Sequence, residues 1–530
     1  MSWPTTLPEV LGRSAEEHGE REAIVWDDRR ITYADLQRRV DRFARGLLAM
    51  GVGHGDRVGV LAENRPEWFV ANYAAQRIGA TMVGLNTWYT ADELSYALAA
   101  TDVSTLVTVD SFLDTDYRKL LTAVAPELEG CAPGALDCER LPYLQRAIVV
   151  GDAPEWAFRW SDVLDRGESV GEARLSAATE TVRPDDDAYV LFSSGTTGRP
   201  KPIVLRHDGL ATNPRSVGAR MGVSADDCVW LAVPLFFSYA ACNASVTALS
   251  HGATLVLQSE FDADAAVELI AEERCTVLYG MGNMYRRLER SDGVRDALDS
   301  VRVAMAIAPR SLRERLEALG ADVALTGYGL TEVCAICAVT DHEAHEEARL
   351  GTVGHPLANV DVRVVDPDTD REVPPGDEGE IRLRARTLFR EYRTMPERTR
   401  AAFDPAGYFR TGDLGRLTPA GRLVFEGRLK DIIKTGGINV SPTEVESVIG
   451  DHPAVDAVTV LGLPHDERDE VVAAVVRPVE GETLTADAVR EHCRERLSSY
   501  KVPTVVEFRS DPFPRTATGK VRKDVVRESL

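Results

Sequence analysis

The sequence predicts an α/β protein: a large N-terminal domain built of α/β subdomains with parallel sheets plus a smaller β-rich part, then a small α+β C-terminal domain. Three observations predict it. Short apolar runs alternate with amphipathic helical stretches over the first 300 residues, the pattern of a parallel sheet with both faces covered. After about residue 355 the runs alternate residue by residue between Gly/Pro/Asp turns, as antiparallel strands do. From Arg428 onward the chain carries a net charge of only −3 out of a total of −23, a shift that places a domain boundary between 1–427 and 428–530.

Tyr33 to Met50 repeats apolar residues at Leu36, Val40, Phe43 and Leu47 and meets Gly51, so it reads as an amphipathic helix with a stop. Arg57 to Ala62 reads as a buried strand, Trp68 to Ile78 as a helix, and Thr81 to Leu85 and Thr105 to Val109 as further strands. Ala147–Val150, Ala188–Phe192, Val229–Val233, Thr254–Leu257, Val277–Tyr279 and Val301–Ile307 continue the series. Val360–Val365, Glu380–Leu383 and Arg422–Glu426 form the antiparallel set. The last segment reads as a helix over Pro442–Ile449, strands over Ala454–Leu461 and Val471–Val476, and a helix over Ala486–Leu497.

The 530 residues hold 61 basic and 84 acidic side chains, and only seven of the basic ones are lysine. An acidic balance of this size excludes a duplex nucleic-acid binder or an anionic-membrane binder, which need a positive field. Any polyphosphate must therefore be held by local loops, a metal ion and a few placed cations. No run approaches 18 apolar residues, the N-terminus lacks the basic and apolar segments of a signal peptide, and eight cysteines are too sparse for a disulfide scaffold. The expectation is a cytoplasmic chain without a membrane span.

Directly after the strand Ala188–Phe192 comes Ser193-Ser194-Gly195-Thr196-Thr197-Gly198-Arg-Pro-Lys201. Two glycines let backbone N–H groups approach phosphate oxygens, the hydroxyls donate, and Lys201 adds a charge. Its spacing is not that of the common nucleotide loop, and Pro200 opposes a helix starting inside it, so the segment reads as a cover over phosphates. Taken alone, the same composition also suits a solvated turn. Cys334, Cys337, His342 and His345 fit no common zinc spacing; the two cysteines fall in an apolar, strand-like run and are expected to be buried free thiols.

The loop resembles the signature of the adenylate-forming superfamily, which includes acyl-CoA synthetases, luciferases and peptide-synthetase adenylation domains. Further motifs follow in family order: Gly327-Tyr328-Gly329-Leu-Thr331-Glu332, Tyr408-Phe-Arg-Thr-Gly-Asp413, Gly427-Arg428-Leu-Lys-Asp431, Lys434-Thr-Gly436-Gly437 through Pro442, and Pro514 through Lys520. The resemblance, most like an acyl-CoA ligase, spans about residues 30 to 523. It implies an enzyme that joins a carboxylic acid to AMP with release of pyrophosphate and then passes the acyl group to CoA.

The resemblance also implies roles. Ser193 to Gly198 and Lys201 would hold the ATP phosphates, Ala308 and Gly327 to Gly329 the nucleotide, with the Tyr328 ring against adenine. Asp413 and Arg428 would meet the ribose. Thr331 would bond the α-phosphate and Glu332 would ligate Mg²⁺. Asp431 would be the hinge of a mobile C-terminal domain, Gly436 and Gly437 would leave room for the pantetheine arm, and Lys520 would act in adenylation as a point charge at the α-phosphate. Phe236, Phe237, Tyr239, Met281 and Gly282 would line the acid pocket. Three departures leave the acid undetermined: Phe237 stands where many acyl-CoA synthetases have histidine, Pro202 replaces the usual glycine, and Gly282 a common proline. A carrier-protein thiol or an amine as acceptor, or nitrite as the activated acid for arylamine diazotisation, stays open, as do a nucleotide-binding protein without the chemistry and a homodimer.

Overall fold

The computed structural model describes residues 3–193, 200–435, 438–465, 468–516 and 521–530. Two mostly parallel sheets are built from the first 330 residues and one later edge strand. One orders its strands Val323–Leu325, Val303–Ile307, Val277–Met281, Cys228–Leu231, Thr254–Leu257, Glu22–Trp26 and Arg29–Thr32, all parallel except the last. The other runs Glu391–Tyr392, Lys201–Arg206, Asp187–Ser193, Thr81–Gly84, Arg57–Leu61, Thr105–Val109, Arg146–Val150 and Phe158–Arg159. Each expected strand of the series is present within a residue or two of its reading. The helices between them are those the patterns predict: Tyr33–Ala49 is capped by Thr32, whose side chain accepts from the Asp35 amide, and Pro66–Arg77 starts with proline in its first turn, where no N–H is needed.

A four-stranded antiparallel sheet follows, Val360–Val365, Gly379–Ala385, Phe409–Leu417 and Leu423–Arg428. All of this shares one hydrophobic core drawn from Leu7 to Leu423. Beyond the short turn Leu429–Asp431, a separate sheet is built from Ile433–Thr435, Ile438–Val440, Val455–His465, Asp469–Pro478 and Val505–Phe508. Its faces divide by the strand period of two. Val472, Ala474 and Val476 pack with Val445, Ile449 and Val489 of the helices Pro442–Gly450 and Ala486–Arg494, whereas Ala473 and Val475 pack with Phe513 and Val526 on the other side. No described helix is long and apolar enough to cross a membrane.

Two local readings differ from the sequence expectation. Lys201–Arg206, read as part of no element, is a strand antiparallel to Asp187–Ser193. Pro202 pairs with Phe192 and its carbonyl accepts from the Arg393 amide, which is why proline is tolerated there. The run Cys334–Cys337 is not a strand: Cys334 and Ala335 have φ of 59° and 80°, and pairing begins only at Ala338.

His207, the first residue of the helix His207–Met221, is fully buried, with Nδ1 accepting from the Leu7 amide at 3.3 Å and no partner for Nε2 among the described residues. Burial pushes its pKa down to about 4 from 6.5, against the pull of Asp186 and Glu9. Between these values the unfolded chain binds a proton that the folded chain refuses, so stability rises with pH across that window and is lost on acidification. Full protonation would remove about 3 kcal/mol. Urea titrations at pH 7 and pH 4.5 are expected to show a smaller acid loss for His207→Gln than for the wild type.

Candidate functional site

The carboxyl ends of the parallel strands form the floor. Met281 and Ile307 end neighbouring strands in register, and Gly282 and Ala308 follow them. Above them passes the segment Leu235 to Tyr239. It is pinned by Asn64, whose Oδ1 accepts from the Leu235 amide at 2.9 Å, and by Tyr239, whose hydroxyl donates to the Met305 carbonyl at 3.0 Å. The Phe236 and Phe237 ring centroids lie 4.5 Å apart, and the Trp88 ring stands T-shaped to them with centroids at 5.2 and 6.0 Å. Trp88 is 50% exposed, so an aromatic wall opens outward at this point. A Cβ added at Gly282 would come no closer than 3.4 Å to any neighbour, so the glycine leaves space there that packing does not require.

The stretch from Gly327 is tightly folded. Gly327–Tyr328 pairs with Ala338–Val339, and the chain turns through Thr331–Val333 before Cys334 and Ala335 take left-handed conformations. A Cβ on Gly329 would lie 1.9 Å from the Ala335 carbonyl oxygen, so no other residue fits. The turn holds Thr331 and the nearly buried Glu332 on a fixed base. Thr331 Oγ1 lies 3.0 Å from Ser238 Oγ, which joins this loop to the aromatic segment.

Two charged clusters flank the loop. In the first, Asp413 is paired across the antiparallel sheet with Arg428, whose Nε lies 2.7 Å from Oδ1, while the Tyr328 hydroxyl donates to Oδ2 at 2.7 Å. The Tyr328 ring packs on Phe425 at 5.6 Å, nearly parallel, and is buried. In the second, the Tyr392 hydroxyl donates to Glu332 Oε1 at 2.8 Å, Lys201 Nζ lies 3.8 Å from the same oxygen, and the ammonium sits 4.2 Å over the Tyr392 ring. Burial lowers the Lys201 pKa and the Glu332 carboxylate opposes that. Burial beside Glu332 raises that of Tyr392, so the phenol stays a donor.

Ser193 ends its strand with a buried hydroxyl that finds no partner among the described residues. Ser194 to Gly198, Gly436, Gly437 and Lys520 lie outside the described residues. Asp431 closes the turn that follows Arg428. Cys334 and Cys337 are buried free thiols, while His342 Nδ1 meets the Arg220 carbonyl and His345 Nδ1 accepts from the Ala348 amide. Sequence reasoning missed Trp88, Ser238 and Tyr392. Ser238 lay inside the aromatic segment; Tyr392 and Trp88 carry no local pattern, because only the fold brings them to the site.

The sequence profile described as "AMP-binding enzyme" matches residues 11–393, and "AMP-binding enzyme C-terminal domain" matches residues 444–520. The chain belongs to the AMP-binding enzyme family. Among its relatives are the mitochondrial medium-chain acyl-CoA ligase ACSF2 of Danio rerio, 31% identical over 99% of this chain and 88% of that one, and a (methyl-dioxo-octahydro-indenyl)propanoyl:CoA ligase of Rhodococcus jostii, 34% identical over 99% of both. ATP-bound MatB of Rhodopseudomonas palustris is 29% identical and superposes with a TM-score of 0.79 over 98% of both chains. This AMP-binding enzyme is thus a ligase of the adenylate-forming, acyl-CoA synthetase type, with the α/β architecture of its relatives.

Gly329→Ala is expected to lose on the order of 3 kcal/mol of stability or to open the Thr331–Val333 turn, read by thermal melting. Tyr392→Phe removes the donor to a buried carboxylate oxygen, a cost of about 1–3 kcal/mol. Its expected signature is a lower rate of acid-dependent pyrophosphate exchange at unchanged overall fold by circular dichroism.

Proposed function

We propose that the crevice activates an apolar or aryl carboxylic acid as its adenylate and transfers the acyl group to CoA. The observation that carries this reading is the meeting of the two charged clusters on either side of the Thr331–Glu332 turn, next to the aromatic wall. Attack of a carboxylate on an α-phosphate needs placement and charge neutralisation more than a covalent nucleophile. Arg428 and Asp413 hold the ribose end, Asp413 accepting from the sugar hydroxyls, with Tyr328 fixing Asp413 in place. Lys201 and the hydroxyls of Ser193, Ser194, Thr196 and Thr197 meet the phosphates, with Gly195 and Gly198 admitting them to the backbone. The Thr331 hydroxyl donates to an α-phosphate oxygen.

Glu332 suits a Mg²⁺ ligand: it is a hard oxygen donor, nearly buried, with one oxygen already oriented by Tyr392 and an orphaned Ser193 hydroxyl among the residues meant for the same phosphates. A bound Mg²⁺ supplies neutralisation of the departing pyrophosphate charge. Phe236, Phe237, Tyr239, Met281 and Gly282, with Trp88 added, shape the acid pocket. The large domain comprises 1–427 and the mobile one 428–530, turning about Asp431. One crevice then serves both half-reactions, Lys520 entering for adenylation and Gly436 and Gly437 for transfer. The enzyme works in the cytoplasm on freely diffusing substrates.

The test is pyrophosphate release over fatty, aryl and alicyclic acids plus nitrite, with and without CoA. Release with an apolar acid and thioester formation only with CoA are expected. Release driven by nitrite alone, or consumption of the adenylate by an amine without CoA, would replace the acid or the acceptor. Lys520→Ala is expected to lower adenylation by about 10²–10³-fold and to spare thioester formation from supplied acyl-adenylate. Equal loss of both half-reactions would overturn that division.

A further inference from the structure

The helix Pro442–Gly450 ends against the large domain at a cluster that no step above uses. Asp451, its C-terminal cap, accepts at Oδ1 from Ser311 Oγ at 2.8 Å and from Arg315 Nη1 at 3.2 Å. Arg315 is itself oriented by Glu289, whose Oε2 accepts from its Nε at 3.1 Å. Arg290 donates to the Val455 carbonyl at 3.4 Å. Arg286 lies so near that a Cβ on Gly450 would come within 3.2 Å of its guanidinium. Arg286 and Arg315 of the large domain thus meet the carboxyl end of one helix and the aspartate that caps it, where both the helix dipole and the side chain are negative, and Arg290 holds the start of the strand that follows. At the other end of the helix, Ser441 Oγ donates to the Glu426 carbonyl, so the helix is tied to the large domain at both ends.

Where the partners sit gives the cluster its consequence. Arg286 lies on the helix Gly282–Leu288, which starts at the acid-pocket residue Gly282, and Ser311 and Arg315 lie on Arg310–Leu319, which starts two residues after Ala308. The contact is made through the helices that leave the pocket floor. It also selects a face. The helix Pro442–Gly450 covers the sheet face toward the large domain, while Phe513 and Val526, which bracket the segment ending in Lys520, pack on the opposite face. The paired strands Ile433–Thr435 and Ile438–Val440, by contrast, run directly into the docked helix.

We infer that Asp451 is a positioning residue: its contact with Ser311 and Arg315 is a clasp that holds the C-terminal unit in the arrangement for acyl transfer and must open for adenylation. The inference rests on the proposed two-step reaction, and the clasp itself on geometry alone. Releasing it shifts the balance of arrangements without touching either reacting centre.

The experiment compares wild type with Asp451→Ala, Arg315→Ala and the charge-keeping Asp451→Glu. Octanoate and benzoate serve as acids, and their preformed adenylates as substrates for transfer. Hydrogen exchange is followed in peptides covering 282–290, 310–319 and 442–455. Both alanine variants are expected to keep pyrophosphate exchange within about twofold, to lose about fivefold or more in thioester formation, and to exchange faster in the three peptides, with Asp451→Glu close to wild type. Equal loss of both half-reactions, a selective loss of pyrophosphate exchange, or unchanged hydrogen exchange would overturn it. Wild-type protein that turns over neither acid would count against the proposed reaction and not against the clasp, whose existence the exchange rates of the three peptides decide.

Discussion

Asp413 is the carboxylate on which the site's geometry hangs. It is 1% exposed and charged groups are not left alone at that depth, so the surrounding elements must deliver partners to it. The register of Phe409–Leu417 against Leu423–Arg428 delivers Arg428, and the short strand Gly327–Tyr328 delivers the tyrosine hydroxyl. Three segments separated by up to a hundred residues are thereby fixed to one another. Once Tyr328 is fixed, the next residues have little freedom: Gly329 touches the Ala335 carbonyl, and the chain turns back through left-handed residues. The strain of two non-glycine residues at positive φ is carried here because packing on both sides over-determines it.

The second cluster shows how a chain of net charge −23 can prepare for an anionic substrate. The global field works against polyphosphate, so cations must act at short range in a partly dehydrated place, where interactions are stronger than in water. Lys201 is such a cation. Its neighbour Glu332 opposes the downward shift that burial causes, and Tyr392 lies under it with the negative face of its ring. The same carboxylate is held by the tyrosine hydroxyl, so one hydrogen bond fixes the position of both charges.

Much of this was legible in the sequence. The strand series through the two large sheets follows from apolar runs that only a covered sheet can use, and the helices from caps and periodicity. The order of short motifs brought Tyr328, Thr331, Glu332, Asp413, Arg428 and Lys201 forward, and the fold gathers these six. What the sequence hid has a common physical reason. Lys201–Arg206 was assigned to no element, because its strand character depends on neighbours on both sides. Cys334 to Cys337 looked like a strand because it is apolar, yet the Gly329 contact forces a turn. Tyr392 and Trp88 act through contacts 60 and about 150 residues away, and no local pattern records such distances.

The three departures from the family pattern can be weighed in the same terms. Pro202 belongs to the strand Lys201–Arg206 and uses only its carbonyl, so it bears on the backbone and not on the acid. Gly282 is different from the site's other glycines. Gly327 and Gly329 are demanded by backbone atoms 2.9 and 1.9 Å from where a Cβ would stand, whereas nothing approaches Gly282 closer than 3.4 Å. A glycine that packing does not require leaves its volume to whatever occupies the pocket. Phe237, against Phe236 and Trp88, makes that aromatic surface apolar and puts no ionisable group in it. Space at the floor and aromatic surface at the side are the features on which the proposed apolar or aryl acid rests, because burying that surface against water-like groups would forgo most of its binding energy.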